Sequence, residues 1–252
     1  MTVTNADDRS VAAAMFKEGK RLQQRGGHSG WPQALATYDG LIERFRDSRD
    51  PLVVRSVADA LTWGAYIHMS DDSQEWALAR YQQVIDMYEA RPQENLRRNL
   101  AVAYGGKAIA LDKLNRPAAR LQALEQLARI DYRPWDLSDD ETVVSEELAK
   151  GTLNYGCTLD EVGRDQEAIA AWGHLISRFG DDPRPSVLEF VAWAANNLGS
   201  ALMNMKRRDE AAAQWNYVVT RFSGIDYPYL QEQVGTARKS LQGLAKRRWR
   251  TR

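Results

Sequence analysis

The sequence predicts an all-α fold: a solenoid of five helix pairs closed by one capping helix near the C-terminus. Three observations carry that prediction. A block of apolar residues at helical spacing recurs, with its large central residue at positions 38, 81, 124, 172 and 215, so the intervals are 43, 43, 48 and 43 residues. A fixed period in this range belongs to stacked helical units rather than to one central globular core. Prolines fall between the blocks, at Pro51, Pro92, Pro134, Pro183 with Pro185, and Pro228; proline lacks the N–H a helix interior needs and biases the preceding residue away from helical angles. A glycine precedes most blocks by about one helix length, at Gly19, Gly64, Gly156 and Gly199, which suggests close helix packing.

Residues 1–9 are polar and non-periodic and read as a flexible tail. The helical repeat domain then spans 10–252, with pairs at about 10–48, 51–90, 93–131, 142–180 and 185–223 and the capping helix at about 229–248. In the second helix of the first pair, Tyr38, Leu41, Ile42 and Phe45 share one face, and Ala34 sits one turn before them. Ala77, Ala168 and Ala211 repeat that small residue in the same register. The third copy is weaker: Leu121, Leu124, Leu127 and Ala128 fill its apolar slots, Arg120 or Ala119 stands at the alanine position, and Ala108 replaces the glycine. The joints inside pairs, such as Asn115 to Pro117, Gly163 to Asp165 and Lys206 to Asp209, are polar and turn-prone. The joint from Asp131 to Glu141 supplies the extra five residues of the 48-residue interval.

Composition excludes several classes. Thirty-four basic residues balance 34 acidic ones, so net charge offers no steering toward nucleic acid or an anionic membrane. The single cysteine, Cys157, allows no internal disulfide and fits a reducing compartment. The first residues lack a basic and apolar leader pattern, and no apolar run reaches transmembrane length; a cytoplasmic protein is the expectation. His28, His68 and His174 have no helical ligand spacing, Cys157 has no second cysteine, and the glycines at 26, 27 and 30 are not followed by the lysine–hydroxyl ending of a phosphate loop. No catalytic, cofactor or metal site is expected.

The repeat resembles the tetratricopeptide repeat family. Gly156, Ala168 and Trp172 match its glycine in the first helix, alanine twelve residues later and aromatic four further on, and so do Gly199, Ala211 and Trp215. The likeness covers nearly the whole chain, but the period is longer than the family's usual one, as in long-period bacterial variants. The resemblance implies antiparallel pairs wound into a right-handed superhelix, a concave face lined by the first helix of each pair, and a non-catalytic scaffold or adaptor that binds a protein or peptide.

Carrying the family's concave positions over implies a partner-binding face of Lys150, Leu153, Asn154, Cys157 and Asp160 in the fourth pair and Trp193, Asn196, Asn197, Ser200 and Asn204 in the fifth. Asn154 and Asn197 are 43 residues apart and share a register; asparagine carries both donor and acceptor and suits the backbone of an extended peptide. Trp193 supplies an aromatic anchor. Lys17, Lys20 and Lys150 do not reproduce the family's carboxylate clamp. Of the other tryptophans, Trp63, Trp172 and Trp215 read as core, Trp31 and Trp76 as staples of joints, and Trp135 and Trp249 as open to function.

Two alternatives stand beside the adaptor. The segment Lys246 to Arg252 holds five basic residues in seven around Trp249; with Arg97, Arg98, Arg207 and Arg208 read as exposed, it offers phosphate contacts and stacking for nucleic acid. The bland reading of the same segment is a cationic helix end that favours the dipole. An acidic loop from Asp136 to Glu147 facing this tail on another molecule would instead make a self-assembling scaffold. No membrane partner is expected.

Overall fold

The computed structural model describes residues 5–90, 92–133 and 136–250. The expectations for Pro134, Trp135 and the end of the basic tail lie outside the described residues, as does the side chain of Trp249. The described residues are mostly helical, with no strand among them. The chain divides into two compact units, Met1–Ala123 and Leu124–Arg252.

The first unit holds α1 (Asn5–Gly26), α2 (Trp31–Phe45), α3 (Pro51–Ser70), α4 (Gln74–Ala90), α5 (Arg97–Lys113) and the start of α6 (Pro117–Ala128). The second holds the end of α6, then α7 (Asp139–Glu161), α8 (Asp165–Phe179), α9 (Pro185–Asn204), α10 (Arg208–Phe222) and α11 (Pro228–Arg250). Within the first unit α1 to α5 each pack on the next, and α1, α3 and α5 also touch in succession. Within the second, α7 to α11 do the same, with α7, α9 and α11 forming the inner row.

The apolar slots explain this packing. Ala34, Tyr38 and Leu41 of α2, Ala77, Tyr81 and Val84 of α4, Ala168, Trp172 and Leu175 of α8, and Ala211, Trp215 and Val218 of α10 are all buried. Burying a tryptophan removes about 150–250 Å2 from water, an upper-bound gain of roughly 4–6 kcal/mol. The glycines make room for these rings. A Cβ on Gly156 would lie under 3.0 Å from three atoms of the Trp172 indole, and one on Gly199 would lie 2.5–3.0 Å from that of Trp215. The second pair departs from the expected register: Gly64 faces the Arg80 guanidinium, and the buried Ala65 takes the next position.

The termini follow local chemistry. Proline occupies the first turn of α2, α3 and α9, where its missing N–H costs nothing. Asp50 caps α3 by accepting from the Leu52 N–H at 3.0 Å. The joint inside each of the second to fifth pairs turns on one residue with positive φ: Asp72 (53°), Asn115 (54°), Gly163 (75°) and Lys206 (63°). These recur at 43, 48 and 43 residues, in step with the repeat.

Two stretches differ from the sequence expectation. The first helix begins at Asn5, inside the expected tail, and Arg9 Nε donates to Asp50 Oδ2 at 2.7 Å. The acidic segment is not a loop beyond Ser138. That serine caps α7 by accepting from the Glu141 N–H at 3.3 Å, and Asp139, Asp140 and Glu141 fill the first turn, where carboxylates favour the helix dipole. The longer joint before it is held in place. Arg178 donates to the carbonyls of Ala128 and Ile130 at 2.8 and 2.6 Å, the Tyr132 ring packs on Phe179, and the Tyr132 hydroxyl donates to Asp182.

Candidate functional site

The second unit carries the expected binding residues on its inner row. On α9, Trp193, Asn197, Ser200 and Asn204 are spaced by four, three and four residues, which places them on one stripe. On α7, Lys150, Asn154 and Cys157 form the matching stripe one repeat earlier. Because α7 packs directly on α9, the two stripes lie side by side.

Four of the eight residues meet in one recess. Cys157, Asn197, Ser200 and Asn204, with Asp160, Glu161, Trp172 and Ala201, line a depression of about 190 Å3. Asn197 Nδ2 donates to the Cys157 sulfur at 3.3 Å, which ties the two stripes together. Ser200 Oγ donates to the Asn196 carbonyl at 3.0 Å, which uses its proton within its own helix. A second recess of about 300 Å3 follows one repeat on, lined by Ser200, Met203, Asn204, Trp215, Ser240, Gly243 and Leu244.

The remaining four are placed differently. Trp193 is 44 % exposed, one turn before Asn197. Lys150 donates to Glu147 Oε1 at 3.0 Å, so its charge is partly matched along its own helix. Asn154 is half-buried. Asn196 is only 4 % exposed; it faces α11, where its Nδ2 donates to the Gln233 carbonyl at 3.0 Å and side chain at 3.2 Å. It holds α9 to α11, so its amide is turned away from the open stripe. Leu153, carried over by the same offsets, is buried core.

Behind each recess a tryptophan nitrogen is packed against a glycine, Trp172 on Gly156 and Trp215 on Gly199. The Trp172 and Trp215 indole N–H groups are buried and unpartnered, and each ring lines one recess. An unmet buried donor is costly, about 1–3 kcal/mol, so two at equivalent positions are notable.

Sequence reasoning missed a run of carboxylates. Glu146, Glu189 and Glu232 stand at 43-residue intervals on α7, α9 and α11, one turn before Lys150, Trp193 and Thr236. Burial, with Glu232 and then Glu146 adding to it, holds the Glu189 carboxyl above the usual carboxylate range. The signal was available as a periodic acidic residue, but one glutamate per repeat is invisible to apolar patterning. The exposed Trp76, at 69 %, was also underrated as a staple: it does stack on His68 across the α3–α4 joint, yet most of its surface is open.

Of the four arginines in the nucleic-acid reading, Arg97 is buried, Arg98 pairs with Asp59 at 3.3 Å, Arg207 pairs with Glu210 at 2.6 Å, and Arg208 is exposed. Among the described residues no His, Cys, Asp and Glu group could hold a metal, and no helix is long and apolar enough to cross a membrane.

Helices of this length, packed on their neighbours with the first helices in an inner row, an alanine slot and an aromatic over a glycine, make a tetratricopeptide-like helical repeat fold. Among solved structures, the chain is similar to BtubC (BKLC) from P. vanneervenii, at 15 % identity over 87 % of this chain and 90 % of that one, with a TM-score of 0.57. It is similar to a putative kinesin light chain of Podosopora anserina with nearly identical TPR-like repeats, at 16 % identity over 93 % and 98 %, TM-score 0.52. It is also similar to MamA, at 16 % identity over 89 % and 96 %, TM-score 0.50. At such identities the likeness is one of fold. No family model and no curated protein matches the chain.

Proposed function

We propose that this protein is a non-catalytic adaptor that holds an extended segment of a partner protein along α7 and α9. The observation that carries the reading is the convergence of Cys157, Asn197, Ser200 and Asn204 on one recess with Trp193 exposed beside it. An exposed tryptophan next to polar groups with both donors and acceptors is the composition of an interface anchor and its rim. Repeat folds of this kind present an extended surface rather than an enclosed pocket, which suits a peptide more than a small molecule. No bond is made or broken.

The test is a peptide-display selection against the full chain. The Trp193→Ala/Asn197→Ala variant should release most of the selected binders while keeping its helicity. Equal retention by the variant would refute this face as the binding site.

A further inference from the structure

A cleft of about 340 Å3 opens among α2, α3 and α4 of the first unit, and it takes no part in the α7–α9 face. Its floor is apolar: Phe45 of α2, Val54, Val57 and Leu61 of α3, and Met87 of α4. Arg46, Gln83 and Asp86 stand at the rim, exposed to solvent. The Arg46 side chain is 63 % exposed and reaches Glu43 at only 3.8 Å, so its guanidinium is loosely held. An apolar cavity of about 150 Å3 admits benzene; this cleft has room for a substituted ring.

The second unit shows what belongs in such a place. Helices α8, α9 and α10 begin at Asp165, Pro185 and Arg208, each 134 residues after the starts of α2, α3 and α4 at Trp31, Pro51 and Gln74. The floor repeats at the same offset: Phe179 answers Phe45, Val191 answers Val57, and Ile176 answers Ile42. At the rim the two copies part. Tyr217 stands where the first copy has Gln83, and Gly180 where it has Arg46. The Tyr217 ring meets Phe222 edge-on with centroids 5.5 Å apart, and a Cβ on Gly180 would lie 3.1 Å from its hydroxyl oxygen. The ring thus runs from α10 to the end of α8, over the span that the cleft occupies between α4 and α2. Burial, chiefly, pushes the Tyr217 hydroxyl above its ordinary pKa. One copy covers its floor with its own phenol; the other presents an exposed amide at that point and leaves the floor open.

We infer that the α2–α3–α4 cleft takes an aromatic side chain of a partner protein, tyrosine in preference, with its ring on Phe45, Val57 and Met87 and its hydroxyl beside Arg46. The guest ring takes the place that Tyr217 fills in the other copy. Arg46 donates to the phenol oxygen, which sets tyrosine above phenylalanine. The Met87 thioether suits the edge of an aromatic ring, which sets both above leucine. In the second unit the ring is carried by a polypeptide, so a protein side chain rather than a free phenol is the source for which the fold has a precedent.

The experiment follows the Met87 methyl signal of the full chain by NMR, assigned through Met87→Leu. The probes are a short blocked glycine–serine peptide with one central tyrosine, and matched peptides with phenylalanine, leucine or glutamine there. The tyrosine peptide should bind about tenfold more tightly than the glutamine peptide, with phenylalanine and then leucine between them. Gln83→Tyr/Arg46→Gly copies the Tyr217–Gly180 pair; it should abolish binding and raise the thermal midpoint by about 2–4 °C, as a filled cavity does. Gln83→Tyr alone should also block the cleft, and Gln83→Ala should leave it open. Trp193→Ala/Asn197→Ala should bind the tyrosine peptide as the wild type does, so a failure of this cleft and a failure of the α7–α9 face are read separately. A leucine peptide that binds as tightly as the tyrosine one, a Met87 signal that no peptide moves, or unchanged binding in both Gln83→Tyr variants overturns the inference. Tighter binding of p-cresol than of the tyrosine peptide would make a free phenol the occupant and overturn the partner protein.

Discussion

Replacing Gly156 with alanine tests the central packing claim. Alanine in a helix interior gains about 0.8–1 kcal/mol over glycine. At Gly156 the new Cβ would lie under 3.0 Å from three atoms of the Trp172 indole. Trp172 is buried against α7 and the recess wall and cannot swing into solvent, so the ring or the helix has to shift. Overpacking of this sort costs about 1–3 kcal/mol. Gly173, on α8, is the matched control: a Cβ there meets nothing within 4 Å. The propensity gain cancels between the two variants, so Gly156→Ala should be less stable than Gly173→Ala by about 1–3 kcal/mol. Urea unfolding followed by circular dichroism and tryptophan fluorescence measures this as a midpoint difference of about 1 M at ordinary slopes. Coincident transitions by the two probes license the conversion to free energy. If Gly156→Ala is stabilised as much as Gly173→Ala, the glycine is not there to admit the ring.

Three other perturbations have defined outcomes. Lys206→Gly should stabilise the protein by about 0.5–1 kcal/mol, since a left-handed backbone at φ 63° strains lysine and not glycine; thermal unfolding reads it. Burial opposes the charge on Asp182, yet its hydrogen bonds from Arg184 and Tyr132 prevail and hold its carboxyl below the usual range. That stability is present above the unfolded-state value near 3.9 and is lost as pH falls through the lower folded value; Asp182→Asn should be less stable at neutral pH and show a flatter acid limb in urea titrations. Trp193→Ala/Asn197→Ala should change stability by less than about 1 kcal/mol, as expected for sites outside the packed core; a collapse of helicity would show that the pair is structural.

Most of the fold was legible because packing of repeated units writes itself into sequence at fixed intervals. Ala168, Trp172 and Gly156 announce one pair, and Ala211, Trp215 and Gly199 announce the next. What was not legible depends on rotations of less than one residue. Gly64 and Ala65 are neighbours in sequence, and only the helix orientation decides which of them a ring or a guanidinium covers. Asn196 and Asn197 show the same limit at the candidate site. One holds α11 and the other lines the recess, although they are adjacent and identical in type. The acidic turn at Asp139 was read as a loop because three carboxylates look solvated; Ser138 makes them a helix start. The left-handed joint residue escaped notice because Asp72, Asn115, Gly163 and Lys206 share a backbone angle and no side-chain type.

Ser200 and Asn204 belong to both recesses of the second unit. One helical face is thus a party wall between two neighbouring chambers, and nothing can press on it from one side without altering the other. Successive residues of a bound chain would therefore be read jointly: a bulky group admitted on the α7 side narrows what the α11 side accepts. Selectivity in such an arrangement is a property of residue pairs in the guest, and substitutions at Ser200 should change preferences at two of its positions together.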